Sequence, residues 1–142
     1  MQMSLQADDY EEIRQLLARY NFAIDFGHID DWVETFVPEG KFSCVGLPKD
    51  APLGGTHEGK DALRSYAESH FGVNQGRARH WNWNLVIEGN GDTATMQCYL
   101  NAYSAGQGES ALFRVTGVYR DRLSRTESGW KFVEREVTID PA

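Results

Sequence analysis

The chain has 142 residues and a net charge of −7 with its four histidines neutral. That length fits one domain with a sizeable core, needing neither disulfide nor structural metal to hold it. Lysines and arginines are scattered rather than gathered into a stripe that could neutralise phosphates, which argues against a nucleic-acid partner. No run approaches the ~20 apolar residues of a membrane helix, and the first nine residues lack the basic and apolar regions of a secretory signal, so a cytoplasmic protein with no membrane partner is expected.

From Asp8 to Phe26, Ile13, Leu16, Leu17, Tyr20 and Ile24 recur at three- and four-residue steps, and Gly27 stands where a helix ends. A short second helix follows, with Asp30 as its N-cap, Trp32, Val33 and Phe36 on its inner side, and its end before Pro38. Lys41 to Val45 reads as a strand. Gly46 to Gly55 is dense in turn formers, an exposed loop long enough to serve as a lid. Gly59 to Phe71 predicts a third helix through Ala62, Leu63, Tyr66, Ala67 and His70 or Phe71. Four strands complete the chain, at Arg79–Glu88, Thr93–Ser104, Leu112–Ser124 and Trp130–Ile139, with Gly89 to Asp92 as a hairpin signal. Helices first and an antiparallel meander afterwards predict an α+β domain.

Cys44 and Cys98 have no metal-ligand spacing and read as reduced, packed thiols, and the histidines lack the i, i+4 pattern that sets two ligands on one helical face. No metal is indicated. Phosphate-cradling glycine motifs and a nucleophile elbow are absent too.

Asp25 falls at the border of the first helix's apolar stripe, at the end where the helix dipole disfavours a carboxylate without a partner. It is either a solvated helix-end acid or half of a site. By strict alternation His80 shares a polar strand face with Asn82, Asn84 and Val86, opposite Trp81, Trp83, Leu85 and Ile87. That polar face either meets solvent or lines a cavity closed by the helices. Arg135 has Val133, Val137 and Ile139 on its own side and Phe132, Glu134 and Glu136 on or near the other, so it either has a buried anionic partner or snorkels from an interface. Tyr20 belongs to the helix stripe, where core packing is the simpler account and a hydroxyl still requires a partner. An imidazole backed by a carboxylate is a base that titrates near neutral pH, suited to removing a proton from a carbon acid.

The run IRQLLARYNFAID ending at Asp25, the Arg79-His80 pair with Asn84 four residues on, and GWKFVER ending at Arg135 resemble the SnoaL-like group of the nuclear-transport-factor-2-like superfamily. Within it the chain looks most like the branch of scytalone dehydratase, bile-acid 7α-dehydratase and hexachlorocyclohexane dehydrochlorinase. The resemblance spans nearly the whole chain and implies a single SnoaL-like domain over 1–142, a cone-shaped α+β barrel with N-terminal helices packed on a curved, mostly antiparallel mixed sheet.

It further implies His80 as general base, Asp25 as its orienting carboxylate, Arg135 as the group stabilising a developing anion, and Tyr20 as the tyrosine of the bile-acid enzyme. The dehydrochlorinase has a lysine there, which argues against haloalkane chemistry, and no obvious counterpart of scytalone dehydratase's second histidine stands out. The implied function is a cofactor-independent lyase of dehydratase type, or an isomerase, acting on a hydrophobic cyclic or polycyclic molecule.

Asn84, Phe26, Trp32, Phe42, Tyr103 and Phe113 are the expected substrate contacts. A noncatalytic small subunit of an aromatic-ring-hydroxylating dioxygenase, or a small-ligand carrier, is the alternative. An apolar outer sheet face around Trp81 and Trp83 predicts a homo-oligomer, trimer or dimer.

Overall fold

The computed structural model describes residues 3–142. Three helices, α1 (Ala7–Phe26), α2 (Ile29–Glu34) and α3 (Lys60–Asn74), pack on one face of a single sheet of six strands: β1 (Phe36–Val45), β2 (Gly55–Glu58), β3 (Ala78–Asn90), β4 (Thr93–Ser104), β5 (Leu112–Thr126) and β6 (Gly129–Ile139). The strand order is β2-β1-β6-β5-β4-β3, with β1 and β6 parallel and every other pair antiparallel. The architecture is an α+β cone, as expected, and its sheet curls around the helices without closing. No described helix is long and apolar enough to cross a membrane.

Helix α1 buries Ile13, Leu16, Leu17, Tyr20, Ala23 and Ile24, the stripe that its spacing dictates. It ends at Gly27, whose φ of 74° is left-handed and whose missing Cβ would lie 2.5 Å from the Phe71 ring, so both conformation and space call for glycine. At its start the Asp9 carboxylate accepts the Gln6 backbone N–H and the Trp130 indole N–H and pairs with Arg125, tying the helix to the β5–β6 hairpin.

Helix α2 begins earlier than expected, with His28 rather than Asp30 at its cap, and Phe36 belongs to β1 instead. Pro38 sits inside β1, in the irregular stretch between the Phe36 and Lys41 pairings, where a residue without an N–H removes no ladder bond. The short strand β2 lies between the expected loop, which it meets at Gly55, and the expected helix start at Gly59. Its Gly-Thr-His-Glu sequence has little strand character, and pairing with Lys41–Cys44 creates it.

Three bulges break strict alternation. On β3, Trp83 pairs with Tyr99 and Val86 with Gln97, so Asn84 and Leu85 together oppose one residue, and Asn84 takes a φ of 58°. On β6 the extra residue is Val133, between the Leu123–Phe132 and Arg122–Glu134 pairs. On β5 it is Arg114. Each reverses which side chains point inward, with direct consequences for the site.

A histidine–aspartate pair at a mostly apolar cavity

Asp25 and His80 meet. Asp25 Oδ1 lies 2.5 Å from His80 Nδ1, and Oδ2 accepts the His80 backbone N–H at 3.1 Å. Both carboxylate oxygens are used on one residue, which fixes the ring's plane and direction. With an acceptor-only carboxylate at Nδ1, the neutral ring carries its proton there and leaves Nε2 as the base nitrogen.

The helix and strand meet in register. Four residues earlier on α1, Asn21 Nδ2 donates to Asn82 Oδ1 at 2.7 Å, and Asn82 Nδ2 donates to Tyr99 O at 3.1 Å. A helix advances about 6 Å in four residues and a strand about 6.6 Å in two, so one face of α1 matches alternate residues of β3. Asn82 is thereby occupied in docking the helix.

His80 opens onto a cavity of about 270 Å³ that lies between α1, α3 and the inner face of the sheet. Tyr20, Ile24 and Tyr119 form its depth, Phe42 and Cys44 one wall, Tyr66 and His70 of α3 another, and Leu47 and Leu53 reach it from the loop between β1 and β2. Tyr20 is 2% exposed, and burial raises its hydroxyl to about 12 despite the opposing charge of Arg135. The hydroxyl therefore stays protonated.

His70 lines the cavity too, although sequence reasoning did not single it out as a site residue. Its ring centroid lies 5.3 Å from that of His80, it is 5% exposed, and its Nδ1 has no hydrogen-bond partner. Burial, helped by the neighbouring His80, pulls it down to about 3, so the ring is neutral. The helical spacing had placed His70 or Phe71 on the inner side. The buried stripe Leu63, Tyr66, Ala67 and His70 resolves that choice.

Arg135 does not line the cavity. Its guanidinium is fully buried beneath the floor, with Nε 2.8 Å from Asp121 Oδ1 and Nη2 3.2 Å from Asp121 Oδ2, and it lies 3.8 Å from the Tyr119 ring centroid and 4.5 Å from that of Tyr20. Burial acts to lower Arg135 and the Asp121 carboxylate to raise it, the net direction being up. Its inward neighbours are Phe132, Val137 and Ile139, because the Val133 bulge shifts Phe132 to the inner side. Asp121, on the facing strand, carried no signal of its own within the meander.

Four expected substrate contacts are corrected. Asn84 is carried outward by its bulge and exposed. Phe26, one residue beyond Asp25 and so ~100° further round the helix, stacks on Phe22 outside the cavity beneath the Arg79 guanidinium. Trp32 is fully buried behind the wall among Tyr20, Phe36, Phe42 and Tyr66. Phe113, displaced by the β5 bulge, is 56% exposed. Phe42 and Tyr103 do line the cavity. Among the described residues no three His, Cys, Asp or Glu side chains converge as a metal site would require.

The chain has relatives in sequence and in fold. A Mycobacterium tuberculosis protein, Rv2910c, itself uncharacterised, is 29% identical over 94% of this chain and 86% of its own. A Nostoc punctiforme protein of unknown function with a cystatin-like fold superposes with a TM-score of 0.85 at 26% identity, covering 99% of this chain and 97% of that one. A Novosphingobium aromaticivorans structure provisionally described as a scytalone dehydratase superposes with a TM-score of 0.75, covering 94% and 85%, and at 19% identity shows the common fold alone. The SnoaL-like domain family matches residues 6–136, and the chain belongs to that family within the nuclear-transport-factor-2-like superfamily.

Proposed function

We propose that the protein is a cofactor-independent lyase of dehydratase type, or an isomerase, acting on an apolar cyclic molecule held in the cavity. The observation that carries this reading is the Asp25–His80 pair, whose free imidazole nitrogen belongs to a residue lining a mostly apolar pocket. His80 Nε2 takes a proton from a carbon beside an electron-withdrawing group, and Asp25 stabilises the imidazolium that forms. Tyr20 donates a hydrogen bond to the oxygen on which charge gathers, and Arg135, lying against its ring, favours that charge. His70, neutral and short of a partner at Nδ1, offers a further hydrogen bond.

The imidazolium then returns its proton to a departing hydroxyl, which leaves as water, or to a second carbon, which gives the isomer. Either way the protein ends as it began. The free thiols Cys44 and Cys98 suit a reducing cytoplasm, and the exposed Trp81, Trp83 and Tyr99 on the outer sheet face support self-association as a dimer or trimer.

The proton-transfer step is testable without the natural substrate. Cyclic ketones incubated in heavy water should exchange their α-protons faster with the wild-type protein, and His80→Asn should lose on the order of 10² or more of that acceleration. Exchange that survives the substitution refutes the base assignment. Tight ligand retention with no exchange favours a carrier instead.

A further inference from the structure

The residues lining the cavity include a single Lys, Arg, Asp or Glu, which is Arg114 on β5. It is exposed while also lining the cavity, so it stands at the mouth, whereas Tyr20 and Tyr119, each 2% exposed, lie at the depth. Its place there follows from a bulge. Ala102 pairs with Val115 and Tyr103 with Phe113, leaving Arg114 as an extra residue between them. Gly117, Tyr119, Asp121 and Leu123 are the buried side of the strand, so unbroken alternation would turn residue 113 inward and 114 outward. The bulge reverses this, turning a phenylalanine out and bringing a guanidinium to the rim, as bulges beside binding sites do.

Among the described residues Arg114 has no carboxylate within 4 Å and no side-chain hydrogen bond. The other nearby charges are engaged elsewhere: Asp25 is bound to His80, and Asp121 and Arg135 neutralise one another below the floor. In a chain of net charge −7, the cavity therefore has a cation at its entrance and no acid in its lining.

We propose that the ligand carries a terminal oxyanion, a carboxylate or a phosphate ester, which stays at the mouth against Arg114 while its apolar ring body fills the cavity towards His80. This rests on the reading of the cavity as a small-molecule site and names the class of molecule it takes. A guanidinium presents a planar fork of donors suited to either anion. Held this way the ligand enters in one orientation, with its uncharged end at the base.

The test is a set of probes sharing one ring system: 2-naphthylacetamide, 2-naphthylacetate and 2-naphthyl phosphate, titrated calorimetrically into the wild-type protein, Arg114→Gln and His80→Asn. At least one anion is expected to bind about tenfold or more tighter than the amide, and which one identifies the source of the charge. Arg114→Gln should abolish that preference, bringing the anion's affinity down to that of the amide, whereas His80→Asn should retain it. Raising ionic strength from about 0.05 to about 0.5 M should weaken the anion and spare the amide.

Amide binding with no anion preference, a preference that survives Arg114→Gln, or one lost in His80→Asn alone overturns this inference and leaves the cavity reading standing. Failure of all three probes to bind overturns both.

Discussion

Replacing Asp121 with asparagine tests whether Arg135 is held by the fold or free to serve the site. Both side chains are 0% exposed, and two hydrogen bonds of 2.8 and 3.2 Å join them in the fork geometry. The substitution keeps the volume, removes the negative charge and turns one acceptor into a donor facing a donor. Breaking a buried ion pair from one side costs about 3–5 kcal/mol, because the remaining charge is left uncompensated. At roughly 2–4 °C per kcal/mol for a domain somewhat larger than this, the melting temperature should fall by on the order of 10 °C.

Urea denaturation followed by the fluorescence of the buried Trp32 and Trp130 reads the loss directly. The double substitution Asp121→Leu with Arg135→Met removes both charges and should recover most of it, to within about 1–2 kcal/mol of wild type. A cost below about 1 kcal/mol for Asp121→Asn, or a double variant no more stable than the single ones, refutes the reasoning and frees Arg135 for a direct role.

His70 makes stability depend on pH. Its folded value of about 3 lies below the ordinary 6.5, so between those limits the unfolded chain binds one more proton, and stability is complete above pH 6.5 and falls as the solution is acidified towards 3. The loss is on the order of 5 kcal/mol, and His70→Leu should flatten that slope in denaturation curves collected across this range. Asp25→Asn should disturb the tautomer of His80. Nitrogen NMR of the imidazole is expected to report a proton on Nδ1 in the wild type and a mixture of tautomers in the variant, and an unchanged spectrum argues against Asp25 as the orienting group. At the β3 bulge, Asn84→Ala should cost about 1 kcal/mol because its φ of 58° strains a residue with a Cβ, while Asn84→Gly should be nearly neutral. Equal melting temperatures for the two would mean that the left-handed conformation matters little.

Periodicity carried much of the fold. The α1 stripe, the glycine that ends it and the four late strands were legible because each depends on side chains near in sequence facing a common core. Asp25, His80 and Tyr20 were legible as candidates for a related reason: a carboxylate at the wrong end of a helix and a histidine opening a strand stand out locally, and short motifs match a known family. Which of them touch could not be read locally. The Asp25–His80 contact joins residues 55 positions apart, and the pairing of Arg135 with Asp121 depends on how two strands align.

The bulges at Asn84, Arg114 and Val133 decided the rest. A single extra residue reverses every side chain beyond it, and it arises from pairing between strands rather than from the pattern within one. Alternation alone therefore misplaced Asn84, the β5 bulge turned the expected contact Phe113 outward, and Arg114 went unremarked. Sequence by itself determined the elements and the reactive groups. Only the tertiary structure decided which groups share the cavity, because facing direction is a property of paired strands and packed helices.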